Sequence, residues 1–143
     1  MKRREFLKSS SAVVTAFPWV AASTVRGAND RINVGFVGVG GRATWLLKNE
    51  DFAPHRIKAI ADCWAPRLDT AAKLIPGEVE KYTDYRKMFE KEKLDAVFVE
   101  TTTHARVLVM MHALQAGLDV YGEKPLTLTV DEGKTLIKAV RHY

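Results

Sequence analysis

The chain has 143 residues, 47% hydrophobic and 27% charged, a globular composition that excludes a disordered or fibrous protein. Its formal charge of +5 sits largely at the N-terminus: setting aside Lys2, Arg3, Arg4 and Lys8 from the 22 basic residues and Glu5 from the 17 acidic ones leaves 18 against 16, too even a balance for a nucleic-acid partner. The single cysteine, Cys63, excludes an intramolecular disulfide and a cysteine-based zinc site, and no metal set is read; burial is the commoner fate of a free thiol and is expected of this one.

The chain opens with Lys2-Arg3-Arg4-Glu5-Phe6-Leu7-Lys8, followed by an apolar stretch over residues 11–22 that contains Pro18. A charged region, a short apolar region and the small residues Val20-Ala21-Ala22 are the three parts of a cleavable signal, with the cut expected before Ser23. The stretch is short of the roughly 20 apolar residues of a membrane span, so no stable membrane anchor is expected. The paired arginines look like the twin-arginine signal that exports folded proteins, which places the mature protein in the periplasm. The alternative is an amphipathic helix packed on the domain; Ser9, Ser10, Ser11, Thr15 and Pro18 suit it poorly, and the basic residues gather at one end. Residues 1–28 are thus read as signal and linker, and 29–143 as one domain.

From Arg31 onward, apolar β-rich runs alternate with helical patterns, the signature of βαβ units and a parallel sheet. Residues 32–37 (Ile-Asn-Val-Gly-Phe-Val) predict the first strand, 43–49 a helix and 57–61 the second strand. Pro66 suits the first turn of a helix running to residue 74, where its missing amide proton would be unpaired anyway. A weak strand over 80–83 and a short helix over 85–92 follow. Residues 96–99 (Ala-Val-Phe-Val) are a clearer strand, and a helix then spans 104–116, with Gly117 fitting a left-handed C-terminal cap. Val120-Tyr121 is the next strand, and Thr129-Val130-Asp131-Glu132 is a capping box that opens a last helix through Ile137 and Val140. The order predicts an α/β fold: a Rossmann-type, doubly wound parallel sheet in three α/β/α layers.

The chemistry gathers where strands end. Gly38-Val39-Gly40-Gly41-Arg42-Ala43 fits G-x-G-x-x-A between a strand and a helix. There Gly38 permits the tight turn, Gly40 lets a pyrophosphate approach the backbone, and Ala43 lets the helix pack closely. The helix N-terminus offers unpaired amides to an anion, with Gly41 beside them. Arg42 opposes the helix dipole unless something negative lies near, and a bound phosphate would serve. Asp62, about twenty residues on at the end of the second strand, is placed to accept ribose hydroxyls. Its charge repels a 2′-phosphate and Cys63 adds no compensating cation, so NAD is favoured over NADP. A Rossmann-like fold holding another nucleotide, or none, is the alternative. Thr101, Thr102, Thr103 and His104, and Glu123-Lys124-Pro125, also follow strands and are expected to line the nicotinamide half of the cofactor site; a capping threonine cluster, a surface histidine and a Lys-Pro turn are the bland readings. His112, Met110 and Met111 read as packing.

Together with Leu94-Asp95-Ala96-Val97 and Ala113-Leu114-Gln115-Ala116-Gly117, these motifs resemble the Gfo/Idh/MocA oxidoreductases over residues 31–143. The resemblance implies an NAD(P)-binding domain of an enzyme moving hydride to or from a sugar or cyclitol carbon, with Lys124 beside the nicotinamide as catalytic candidate. Two departures stand out: Thr102 replaces the family's usual proline, and Arg106 occupies the position where many members carry histidine. The substrate-binding C-terminal domain of such enzymes is absent after Tyr143, so a fragment or truncated gene product, inactive alone, is expected; a homo-oligomer is compatible with it. Alternatives are a non-catalytic NAD-binding remnant and an NAD-dependent glycoside hydrolase.

Overall fold

The computed structural model describes residues 31–143; the stretches read as an export signal and cleavage site, and the expected 28/29 boundary, lie outside the described residues. Five strands alternate with helices in chain order: β1 (Asn33–Val37), α1 (Gly41–Asn49), β2 (Arg56–Ala61), α2 (Ala65–Ala72), β3 (Glu80–Tyr82), α3 (Tyr85–Lys91), β4 (Ala96–Val99), α4 (Thr103–Gln115), β5 (Asp119–Gly122) and α5 (Val130–His142). All pairings are parallel, and the sheet order is β3-β2-β1-β4-β5. The winding therefore runs outward from β1 to β3 and reverses at β4, leaving β1 and β4 as neighbours at the switch point where doubly wound sheets bind ligands.

Both faces of β1 and β2 are buried, and β4 buries Val97 and Val99 on one face and half-buries Ala96 and Phe98 on the other, as a sheet covered on both sides requires. Val34, Phe36, Ile57 and Ile60 join Ala43 and Leu46 of α1 and Leu68 and Ala71 of α2 in one core. Val37, Ala59, Ala61, Val97 and Val99 join Met88 of α3, Val109, Met110 and Ala113 of α4 and Leu136 of α5 in the other. Ile57 and Ile60 share a face although three residues apart, because the β1–β2 register slips between Val34 and Gly35. Lys58 is the residue left over by that bulge, and its ammonium reaches Glu92 at 3.1 Å. On the first face Phe36 stacks on Phe98 with centroids 4.8 Å apart, and Phe52 meets both edge-on, geometry that adds about 1 kcal/mol per pair beyond burial.

Local signals fix the helix ends. Pro66 lies in the first turn of α2, and the Asp84 carboxylate caps α3 by accepting the Arg86 amide at 3.0 Å. Thr129 and Glu132 form the reciprocal capping box at α5, at 3.2 and 3.1 Å. Gly117 takes φ +74 just past α4. The first helix begins two residues earlier than the sequence suggested, since the glycine turn winds directly into it. His112 and Tyr85 pair ring nitrogen to hydroxyl at 2.8 Å, and Met110 is buried. No helix among the described residues is long and apolar enough to cross a membrane.

Candidate functional site

The turn after β1 is where backbone, not side chains, shapes the site. Gly38 has φ +85, and a Cβ there would stand 2.9 Å from the carbonyl carbon of Glu100 and from the amide nitrogen of Thr101. Its own N–H donates to the Ala61 carbonyl at 2.7 Å. Gly38 is thus wedged between the ends of β2 and β4, in a conformation few other residues adopt. Gly40 then caps α1 without a side chain to bond the first amides, and the first turn holds no acid. A Cβ on Gly41 would meet nothing within 4 Å, so the helix N-terminus opens onto free space, while Ala43 is fully buried beneath it. That cradle fits an anionic pyrophosphate.

Asp62, 7% exposed at the end of β2, closes the same turn. Oδ2 accepts the Val39 amide at 3.0 Å and Oδ1 the Trp64 amide at 2.9 Å. A carboxylate has about four acceptor positions, so one on each oxygen stays available to ribose hydroxyls. The Arg67 guanidinium stands 3.9 Å from Oδ2, lies over the Trp64 ring at 5.2 Å, and is the group nearest to a Cβ built on Gly40. The expectation of a buried Cys63 is wrong: its side chain is exposed. The reason is positional, because β2 stops at Ala61 and Asp62 turns inward to the glycine turn, which leaves the next residue on the rim.

Two further strand ends complete the edge. After β4, Thr102 is the N-cap residue of α4, yet its hydroxyl makes no capping bond and lies 3.3 Å from His104 Nε2. Thr103 begins that helix. Thr101 Oγ1 is buried with no hydrogen-bond partner. After β5, Glu123 is buried, its Oε1 accepting the Lys124 amide at 2.9 Å and its Oε2 the Arg42 Nε at 2.6 Å. Arg42, expected to answer a phosphate, already has a carboxylate partner and also lies 4.7 Å over the Trp45 ring. The Arg42 hydrogen bond holds the Glu123 carboxyl below the usual range. Lys124 is exposed.

Glu100 and Arg106 belong to this edge and were not assigned a role from sequence. Both Glu100 carboxylate oxygens are buried without a hydrogen-bond partner. Burial, and then the charge of Glu123, push its carboxyl up to about 7 against the opposing pull of Arg42 and Arg106. Arg106 is 5% exposed and donates to the carbonyls of Thr101 and Pro125. A carboxylate placed directly after the apolar run of β4 was the visible signal for Glu100.

A cleft of about 470 Å³ lies among Gly38, Asp62, Arg67, Thr101, Thr102 and His104, and a shallower one of about 210 Å³ covers Gly40, Gly41 and Trp64. A groove of about 500 Å³ along β5 and α5 contains no residue of the glycine turn. Among the described residues, no group of three or more His, Cys, Asp or Glu could hold a metal ion.

A glycine turn running into an uncapped helix, an acid at the end of β2, and two more strand ends on the same edge define a dinucleotide-binding α/β domain. The profile of the Gfo/Idh/MocA group, described as an oxidoreductase family with an NAD-binding Rossmann fold, matches residues 32–143, and the chain belongs to that family. It is similar to the uncharacterized oxidoreductase YrbE of Bacillus subtilis, 30% identical over 115 residues, which cover 79% of this chain and 33% of that protein. A glycosyl hydrolase family 109 protein of Shewanella pealeana is 28% identical over 112 residues, 72% of this chain and 25% of that one. Among solved structures, myo-inositol 2-dehydrogenase from Lactobacillus plantarum superposes with a TM-score of 0.69 at 26% identity, over 79% of this chain and 34% of that one. The chain therefore spans about a third or less of the length of these proteins.

Proposed function

We propose that this chain is the cofactor-binding part of an exported oxidoreductase that transfers hydride to or from a carbon of a sugar or cyclitol. The observation that carries the reading is the convergence of Gly38, Asp62 and Thr101, at the ends of three parallel strands, on one cleft, with Lys124 two residues past the end of the next parallel strand. Bound there, NAD supplies the hydride acceptor or donor. Gly40, Gly41 and the open amides of α1 hold its pyrophosphate, Asp62 takes the adenosine ribose, and Thr101, Thr102, Thr103 and Glu123 face the nicotinamide half. Lys124 hydrogen-bonds the substrate oxygen whose proton must leave or arrive, and its positive charge stabilises alkoxide character. The similarity to an inositol dehydrogenase favours a polyhydroxylated substrate, and the substrate-facing partner is a further domain of the full-length protein.

The test is Lys124→Ala in the full-length protein. Turnover falls at least about tenfold, equivalent to 1.4 kcal/mol of barrier, while NAD affinity is kept. Unchanged turnover removes Lys124 from the mechanism. A second reading is favoured by the family 109 relative: NAD-dependent glycoside hydrolysis in which the cofactor is regenerated. Incubation with glycosides and with free sugars, following NADH absorbance and sugar release together, separates the two.

Export rests on Arg3 and Arg4. A route that moves folded proteins lets the domain acquire NAD in the cytoplasm and carry it out. Protein recovered from the periplasm should then retain near-stoichiometric NAD through desalting, and replacing both arginines by lysine should keep it in the cytoplasm. Empty periplasmic protein, or export indifferent to the arginines, contradicts this.

A further inference from the structure

Arg106 stands near the start of α4, almost fully buried. Both features work against it. A buried cation loses its hydration, and a cation near a helix N-terminus opposes the dipole. Neither cost is offset by packing alone, because a neutral side chain could fill the same space. The guanidinium spans two chain segments with a separate terminal nitrogen for each. One terminal nitrogen donates to the carbonyl of Thr101, in the loop after β4; the other donates to the carbonyl of Pro125, in the loop after β5. Its Nε, also buried, has no partner, so the hydrogen bonding of this side chain is spent on those two loops.

Lys124 lies between two such anchors. On one side Glu123 accepts the Lys124 amide at 2.9 Å and reaches back to Arg42 in the first turn of α1 at 2.6 Å. On the other side Arg106 holds the Pro125 carbonyl. The peptide unit before Lys124 is thus tied through Glu123 to the first turn of α1, and the one after Pro125 is tied through Arg106 to the loop after β4. Arginine suits this task because its planar fork presents donors in fixed directions, whereas a lysine ammonium concentrates its donors at one point.

We infer that Arg106 is a positioning residue, fixing Lys124 against the cofactor cleft by bridging the loops after β4 and β5. The inference rests on the reading of Lys124 given under Proposed function.

The test reads Lys124 directly and needs no substrate. The full chain is acylated with an N-hydroxysuccinimide acetate reagent, with and without NAD, and the rate at Lys124 is followed by mass spectrometry against exposed Lys138 as internal reference. With NAD at about ten times its Kd, occupancy alone slows labelling of a covered lysine roughly tenfold. Wild type shows that protection. In Arg106→Met and in Arg106→Lys it falls below about twofold while the NAD Kd stays within about threefold, a change under 1 kcal/mol. Arg106→Lys retains the charge and serves if the methionine variant does not fold. Protection equal to wild type in the lysine variant overturns the positioning role, as does loss of NAD binding in step with loss of protection, which would make Arg106 merely structural. Wild type that binds NAD but leaves Lys124 unprotected overturns the assignment of Lys124 itself, and wild type that binds no NAD overturns the cofactor site; neither outcome resembles the failure of Arg106 alone.

Discussion

Replacing Glu100 by glutamine keeps the side chain's shape and removes its ability to ionise. In the native protein both carboxylate oxygens are buried without a partner, and burial with the nearby charge of Glu123 pushes the carboxyl up to about 7 from an ordinary value near 4.5. The unfolded chain therefore gives up this proton before the folded one does. The contribution of Glu100 to stability is complete below about 4.5 and is lost progressively as pH rises to about 7. At 1.36 kcal/mol per pKa unit the full shift is worth ~3 kcal/mol; although the two oxygens are covered, the residue as a whole is partly exposed, and screening brings this to about 1–2 kcal/mol. Urea unfolding of wild type and Glu100→Gln at pH 5 and at pH 8.5 measures it by linear extrapolation. Little difference is expected at pH 5 beyond that between a neutral acid and an amide, and the variant should be more stable by that amount at pH 8.5. Equal offsets at the two pH values would refute the reasoning, because they would show that Glu100 does not titrate between them.

Gly38→Ala sets a Cβ 2.9 Å from backbone atoms of residues 100 and 101 at φ +85; the strain and overlap should cost about 3 kcal/mol in urea unfolding, and a loss under 1 kcal/mol would mean that the turn relaxes freely. Asp62 presents a carboxylate to the adenosine ribose, so titration should show NAD tighter than NADP by tenfold or more, about 1.4 kcal/mol. Asp62→Asn should narrow that ratio, and an NADP preference in wild type would point to Arg67, which stands 3.9 Å from Asp62, folding over the 2′-phosphate.

The fold was legible because its signals are local. Gly38, Gly40 and Ala43 fall between a strand and a helix; Thr129 and Glu132 are three residues apart on one turn; the alternation of apolar runs and helical patterns dictates a parallel sheet with crossovers on both faces. What escaped the sequence joins distant residues. Arg42 meets Glu123 across 81 positions, and Asp62 meets the Val39 amide across 23. Arg42 was read against a phosphate because a cation in the first helical turn opposes the dipole unless something negative lies near; the negative group beside it in the structure is Glu123, from another strand end. The bulge at Lys58 is equally invisible, since Ile57, Ala59 and Ile60 read as a plain strand until the register with β1 is known. Cys63 was misplaced because its burial was expected from the general habit of free thiols, although the strand read over 57–61 ends at Ala61 in the structure too and leaves Cys63 on the rim beyond it.

The central claim, that the glycine turn and the neighbouring strand ends form the NAD site, is tested most directly by adding NAD to the isotopically labelled full chain and following backbone amide shifts by NMR. The largest changes should fall on Val39, Gly40, Gly41, Arg42, Asp62, Cys63, Thr101 and Lys124, saturating at one NAD per chain. Changes centred on the β5–α5 groove, around Leu118, Leu136 and Val140, with the glycine turn unmoved, would contradict it.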